Sequence, residues 1–316
     1  MPTEYEIVTH AMNHTTTRKV ALEMGPETFA NQYLRRHRDE VPLQVDDWNG
    51  FRDPDEITYR KYNRMQDEAE SFVDRVLEEY AGRRQADLDH SPRWLEGLGV
   101  LLTPQRFPVH GLQMTAAYLA QIGPSSYISN AASFQSADEL RRVQRLAYRT
   151  KQLQLAHPDR GFGEKDRERW ERDAGWQGAR EAIERTFAVR DWDAAFVALN
   201  LVVKPAFDAI FLFGLAALAR QHGDEVDALL LENLAEDSER SGRWSAALAR
   251  FAIARRSENR DVLRRHVDTW HPLADRLVAS GSALLGGLAT RDDFAGVTAQ
   301  AARSRLERLA HDAGLS

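Results

Sequence analysis

The sequence predicts an all-α protein built around a four-helix bundle with one long connection, the plan of ferritin-like folds. Three observations lead there. Apolar residues recur with a helical period from about residue 55 through residue 316. Nothing in that span alternates apolar and polar residues in the sustained way a half-buried strand requires. Four of the expected helices are far longer than the usual ~11–12 residues, and they come as two hairpins, 105–156 and 191–254, linked by a charged, glycine-containing stretch at 157–178.

Residues 1–52 read as an extended N-terminal arm, polar and without helical period, ending in PLQVDDWNGF. Trp48 and Phe51 are costly to leave in water, so the arm is expected to lie on the bundle or on a partner; for residues 1–25 partial disorder is the alternative. A single helical domain then covers 53–316. Its first long helix is expected to begin within RDPDEITYRKYNRMQ, with Asp53 as N-cap, Pro54 in the first turn and Glu56 closing the capping box. A shorter helix at 88–101 precedes the first hairpin, 105–122 with 125–156. Short helices at 164–172 and 177–189 cross the connection, the second hairpin pairs 191–221 with 224–254, and helices at 258–283 and 291–312 complete the chain. Glycine and proline punctuate these segments.

Composition narrows the chemistry. A hydrophobic content of 43% fills a sizeable core, and a formal net charge of -6 argues against a nucleic-acid partner, which needs a basic surface. The arginine-rich stretches alternate with acids and read as solvated helix faces. The absence of cysteine excludes disulfides, iron–sulfur clusters, thiolate zinc and thiol nucleophiles. No G-x-G-x-x-G, P-loop or G-x-S-x-G occurs, so nucleotide or flavin chemistry has to come from other chains. The start, MPTEYEIVTHAMNHTTTRKV, lacks an apolar signal core, and the run AIFLFGLAALA at 209–219 is too short to span a bilayer. A cytoplasmic protein without a membrane partner is expected.

A helical wheel exposes two inward charges. With Glu139 at zero, Ile128, Ala132, Val143, Leu146, Thr150 and Leu153 fall within about 40° of it. Arg142 and Gln135 lie on the margins of that face, and Arg141, Gln144, Arg145 and Tyr148 on the far side. In the helix 191–221, Lys204 sits among Val197, Phe211 and Leu215, with Asp208 one turn on. Isolated buried charges are expensive, so charges of opposite sign on neighbouring helices suggest pairing. Glu139 has Arg142 three residues on and Lys204 has Asp208 four on; either cation can also reach Glu139 across the bundle. Local surface pairs are the alternative. The histidines offer no E-x-x-H: His10 and His14 lie in the polar arm, His266 and His271 bracket Trp270 five apart, and His110 reads as a core or interface residue. Trp244 and Trp270 read as core.

Long collinear blocks then become recognisable: EYEIVTH, DDWNGFRDPDEITYRKYNRMQ, VHGLQMTAAYLAQIGPSSYISNAASFQSADELRR, GWQGAREAIER, DWDAAFVALNLVVKP, SERSGRWSAALARFA and WHPLADR. Through them almost the whole chain resembles the β subunit of the hydroxylase component of bacterial multicomponent monooxygenases, the soluble di-iron enzymes, on the toluene/phenol/alkene side. The resemblance implies a ferritin-like, ribonucleotide-reductase-like bundle with extra helices. It implies that only the sister α subunit carries iron, on a Glu, a D-E-x-R-H, a second Glu and a second D-E-x-R-H. Carried over by position, the first Glu falls near Ala117, the first E-x-x-H becomes Glu139 and Arg142, the next Glu becomes Lys204, and DSERS leaves Ser238 and Ser241. Two cations in place of ligands neutralise what iron would neutralise, so Glu139, Arg142 and Lys204 are expected to form a structural ion cluster without metal.

The function so implied is that of a non-catalytic structural subunit. No cofactor is expected on this chain; the di-iron centre belongs to the α subunit, with which it assembles, together with a small γ subunit, as (αβγ)₂. An effector protein, a Rieske ferredoxin and an NADH reductase complete the implied monooxygenase. Trp48, Phe51, Tyr59 and Tyr62 are candidate interface residues, aromatics being favoured at interface cores, although packing of the arm on its own bundle explains them equally. Two other functions compete: a metal-binding oxygenase using Glu139, Asp208, Asp237 and Glu239, and an unrelated helical interaction module.

Overall fold

Four long helices organise the chain, which is known from a computed structural model describing residues 1–12, 15–17, 25–84 and 86–316, the side chains of 80–84 and 86 excepted. The elements, in order, are α1 (Glu4–Thr9), α2 (Phe29–Leu34), α3 (Tyr59–Arg84), α4 (Pro92–Gly97), α5 (Arg106–Ile122), α6 (Ser126–Ala156), α7 (Asp166–Arg172) and α8 (Ala174–Thr186). After these come α9 (Trp192–Gln221), α10 (Glu225–Arg255), α11 (Asn259–Gly286) and α12 (Phe294–Asp312). No strand occurs among the described residues. The hairpins α5–α6 and α9–α10 form the bundle, and α3, α8, α11 and α12 pack around it.

Local chemistry fixes the ends. Ser125 caps α6 by accepting from the Ile128 N–H at 3.4 Å, and Asp224 caps α10 by accepting from the Asp227 N–H at 3.0 Å. The expected start of the first long helix is corrected: Asp53 accepts from the N–H groups of Asp55 and Ile57 in a separate turn, Glu56 takes a left-handed φ of 45°, and the helix begins after Thr58, whose hydroxyl accepts from Lys61 N–H. Proline at 54 therefore serves a turn and not a helix.

The arm is less extended than expected, because α1, α2, a π turn at Arg35–Asp39 and a 3₁₀ turn at Trp48–Gly50 punctuate it. It lies on the bundle. Tyr5, Val41, Leu43, Val45 and Phe51 join the main core, and the Leu43 N–H donates to Asp193 at 3.1 Å. Within the described part of residues 1–25, α1 forms and Tyr5 enters the core, while His14 falls outside the described residues.

The helix α9 is buried along most of its length, with Ala217 and Arg220 near its C-terminus exposed. It is long and apolar enough to cross a membrane by length and composition, which corrects the expectation from its apolar run, yet 83% of its most apolar window is buried inside the chain. It is a core helix. Proline at 205 lacks an N–H and crowds the carbonyl four residues back; α9 widens into a π stretch at Val197–Val203 just before it and again at Ala209–Gly214. Between the two, Lys204–Asp208 stays α-helical, holding its two charges one turn apart.

Close backbone approach matters at one point. A Cβ on Gly178 of α8 would lie 2.4 Å from Ser280 Oγ and 2.6 Å from the Arg276 carbonyl oxygen of α11. A carbonyl inside a helix cannot yield, so Gly178→Ala is expected to cost about 1–3 kcal/mol in chemical denaturation.

Candidate functional site

At the centre of the bundle four charges neutralise one another. Lys204 Nζ lies 2.7 Å from Glu139 Oε1 and 2.5 Å from Asp208 Oδ2, and Arg142 Nη1 lies 2.6 Å from Asp208 Oδ1. All four residues are at most 4% exposed. Arg142 also donates to Gln105 Oε1 at 2.9 Å and stacks over Phe207, while Ser238 Oγ donates to Asp208 at 2.7 Å. The α6, α9 and α10 helices and the turn leading into α5 thus each supply a polar side chain. Arg142 pairs with Asp208, not with Glu139, and the link from Glu139 to Lys204 crosses the bundle.

Burial sets the electrostatics. It pushes the Glu139 carboxyl above its ordinary range, against the pull of Lys204. Burial works the same way on Asp208, but Lys204 and Arg142 overcome it and hold that carboxyl below its ordinary value. Desolvation opposes the Lys204 charge, yet the two carboxylates raise its ammonium above the usual lysine value. The cluster is a neutral quartet of charged groups.

Two of the positions expected in this cluster lie elsewhere. Ala117 is on the exposed side of α5, and Gln105 is the residue of that region that reaches Arg142. Ser241 is buried but donates to the Asp237 backbone carbonyl. Its side chain and those of Asn200, Lys204, Asp208 and Ser238 line a cavity of ≈ 80 Å³ beside the quartet. Asn200 accepts from Gln135, which accepts from Trp244, but its own amide N–H group has no protein partner, and neither does Glu139 Oε2. These residues do not fit a metal pair: a lysine ammonium stands between the only two carboxylates of the cluster, and both are already compensated. Asp237 and Glu239, expected as ligands under the oxygenase alternative, pair instead with Arg141 and Arg305.

The solvated-face reading of the arginines holds for α7, where Arg167 and Arg172 are exposed, but is corrected on α6. Arg141, placed on the far side of α6, is 6% exposed and bonds Asp237 and Glu70 at 2.7 and 2.6 Å. Arg149 is 2% exposed, between Asp227 and Asp87. Asp138 meets Arg240 at 2.6 Å and the Tyr62 hydroxyl at 2.8 Å; burial and then the Asp237 carboxylate push it up to about 8. The stripe of α6 that carries Arg141 and Arg145 faces acids of α3 and α10, while Gln144 and Tyr148 beside it stay exposed. A signal existed: Arg141, Arg145 and Arg149 recur every four residues, and Glu70 and Asp74 form a matching acidic pair on α3.

Of the aromatic candidates, Phe51 is buried against Phe251 and Tyr62 stacks on Phe134 at 4.6 Å. Trp48 packs edge-on to Trp192 at 5.0 Å, and only Tyr59, at 75% exposure, stands free in solvent. His110 is exposed, which removes the core half of its core-or-interface reading. His266 and His271 approach Asp193 and Asp275, at 3.4 and 3.2 Å, and not each other's partners.

Comparison with known proteins places this geometry. Residues 27–256 match the family of methane/phenol/alkene hydroxylases. The chain is 38% identical to the hydroxylase component subunit beta of the toluene-4-monooxygenase system of Ectopseudomonas mendocina, over 87% of this chain and 84% of that protein. It is 24% identical to the oxygenase component DmpL of phenol 2-monooxygenase from Pseudomonas sp. (strain CF600), over 84% and 78%. A toluene 4-monooxygenase hydroxylase, solved with toluene in its resting active site, superposes with a TM-score of 0.86 at 38% identity, covering 90% of this chain and 95% of that one. The phenol hydroxylase of Pseudomonas sp. OX1 shares the fold at a TM-score of 0.80 and 18% identity, covering 98% and 90%. The chain belongs to the methane/phenol/alkene hydroxylase family.

Proposed function

We propose that the chain is the non-catalytic β subunit of a di-iron hydroxylase that inserts one oxygen atom of O₂ into an aromatic or alkene hydrocarbon. The observation that carries this reading is the lysine at the bundle centre, 2.7 and 2.5 Å from the two carboxylates of the cluster, standing where a metal ion would have to sit. Glu139, Arg142, Lys204 and Ser238 are then the remnant of a metal site in which cations took over the compensating role of iron. The α subunit supplies the di-iron centre and the substrate pocket. The β subunit supports the helices of its partner, within an (αβγ)₂ assembly of the cytoplasm served by an effector protein, a Rieske ferredoxin and an NADH reductase. The arm of residues 1–52 is largely committed to its own domain, 53–316, and Tyr59 is the aromatic candidate left for a partner.

Iron analysis tests the reading. The chain purified alone from iron-replete cells is expected to carry none, and the pair co-expressed with its α subunit about two per pair, as two-metal sites require. About two irons on the isolated chain would make it an oxygenase in its own right.

A further inference from the structure

Away from the quartet, α9, α11 and α12 leave a pocket of ≈ 330 Å³. Most of its wall is aliphatic: Leu201 and Val202 from the π stretch of α9, Val267 and Ala274 from α11 on either side of Pro272, Leu306 from α12, and Leu315. The last is folded back over one end. Gly314 takes a φ of 76°, the Leu315 N–H donates to the Ala310 carbonyl at 2.8 Å, and Arg264 donates to the Leu315 carbonyl at 3.2 Å. Small side chains, Ala274 and Ala310, stand where larger ones would close the space. Four ionisable side chains complete the lining: His271 and Asp275, which approach each other at 3.2 Å, and Arg303 and Glu307.

We propose that this pocket binds a small aromatic hydrocarbon, giving the β subunit a hydrocarbon site of its own. The volume is about twice the ~150 Å³ of apolar cavity that takes up benzene. The aliphatic majority of the lining offers ring carbons dispersion contacts, the usual make-up of a small-molecule pocket. The choice of an aromatic occupant rests on the function proposed above; the pocket and its apolar lining do not.

Equilibrium dialysis of toluene against the full chain, without its α partner, tests the proposal. One toluene per chain is expected. Filling the pocket with Ala310→Phe, or with Val267→Phe should the first variant lose the wild-type helical circular dichroism, is expected to weaken binding at least about tenfold, which is ~1.4 kcal/mol. No saturable binding to the wild type, or equal binding by a folded filled variant, would overturn the site. Neither result touches the iron analysis, so failure here and failure of the β-subunit reading are told apart.

Discussion

Replacing Lys204 by methionine is expected to destabilise the chain by about 3–5 kcal/mol, because it leaves a buried charge without its partner. Methionine fills the same space but brings no charge. Asp208 keeps Arg142 and Ser238, whereas Glu139 loses its only ion-pair partner while one of its oxygens already lacks a hydrogen bond. Glu139 then protonates, so its folded-state pKa, already raised by burial, rises further. The sign follows from linkage. A raised carboxyl pKa contributes stability that is full below the unfolded value and fades as pH rises through the folded one. The deficit of Lys204→Met is therefore smaller at pH 5 than at pH 8. Adding Glu139→Gln removes the orphaned charge, and the double variant is expected to cost less than the sum of the singles. Denaturant titrations of the four proteins at both pH values check this; a single-variant cost under ~1 kcal/mol, the same at both, would remove the charge network from any structural role.

How far the sequence reveals this centre depends on what surrounds each charge. Glu139 and Lys204 are legible because each sits in an apolar stripe, where a wheel leaves a charge nowhere to go but inward. Gln105 is not legible: the sequence reading makes it the first residue of a helix, whereas it closes the 3₁₀ turn Thr103–Gln105, whose side-chain directions no α-helical wheel describes. The buried arginines of α6 escape for a different reason. A wheel has one apolar face, yet α6 is covered on two, by an apolar layer toward α5 and α9 and by ion pairs toward α3 and α10, so its polar face reads as solvated. The same limit explains Asp53 and Glu56: a capping pattern in sequence does not say whether the helix starts there or, as here, one tight turn later. Bundle and hairpins, by contrast, rest on 30-residue periodicity and survive such local errors. The α11–α12 pocket is silent in sequence, since alanine at 274 and 310 is as compatible with close packing as with space.

Arg149→Met is expected to have the second large effect, again about 3–5 kcal/mol, through a network no metal-site comparison points to. Arg149 spans two acids with paired hydrogen bonds, to Asp227 at 2.7 and 3.0 Å and to Asp87 at 2.7 and 2.6 Å. Asp224, bonded to the Trp94 indole N–H at 2.8 Å, lies beside them with His90, whose burial keeps its imidazole below its ordinary pKa. Without Arg149 three carboxylates share one pocket with His90 and no guanidinium. Burial has pushed Asp227 up to about 7 against the pull of the guanidinium; with that pull gone it rises further. Its stabilising proton is present at low pH and is lost as pH climbs through the folded value, so this part of the deficit grows between pH 6 and pH 8. Asp87 behaves oppositely. Arg149 overcomes its burial and holds it below the ordinary value, a contribution present above the unfolded pKa and lost only in acid, so its removal is felt at pH 6 and pH 8 alike. Melting curves at the two pH values separate the terms, and Arg149→Met/Asp227→Asn is expected to abolish most of the pH-dependent part while the constant part remains. A loss that does not grow with pH would mean that Asp227 stays ionised beside its neighbours, and that Arg149 holds the 3₁₀ turn Ala86–Asp89, α6 and α10 together by packing and hydrogen bonds instead of by charge.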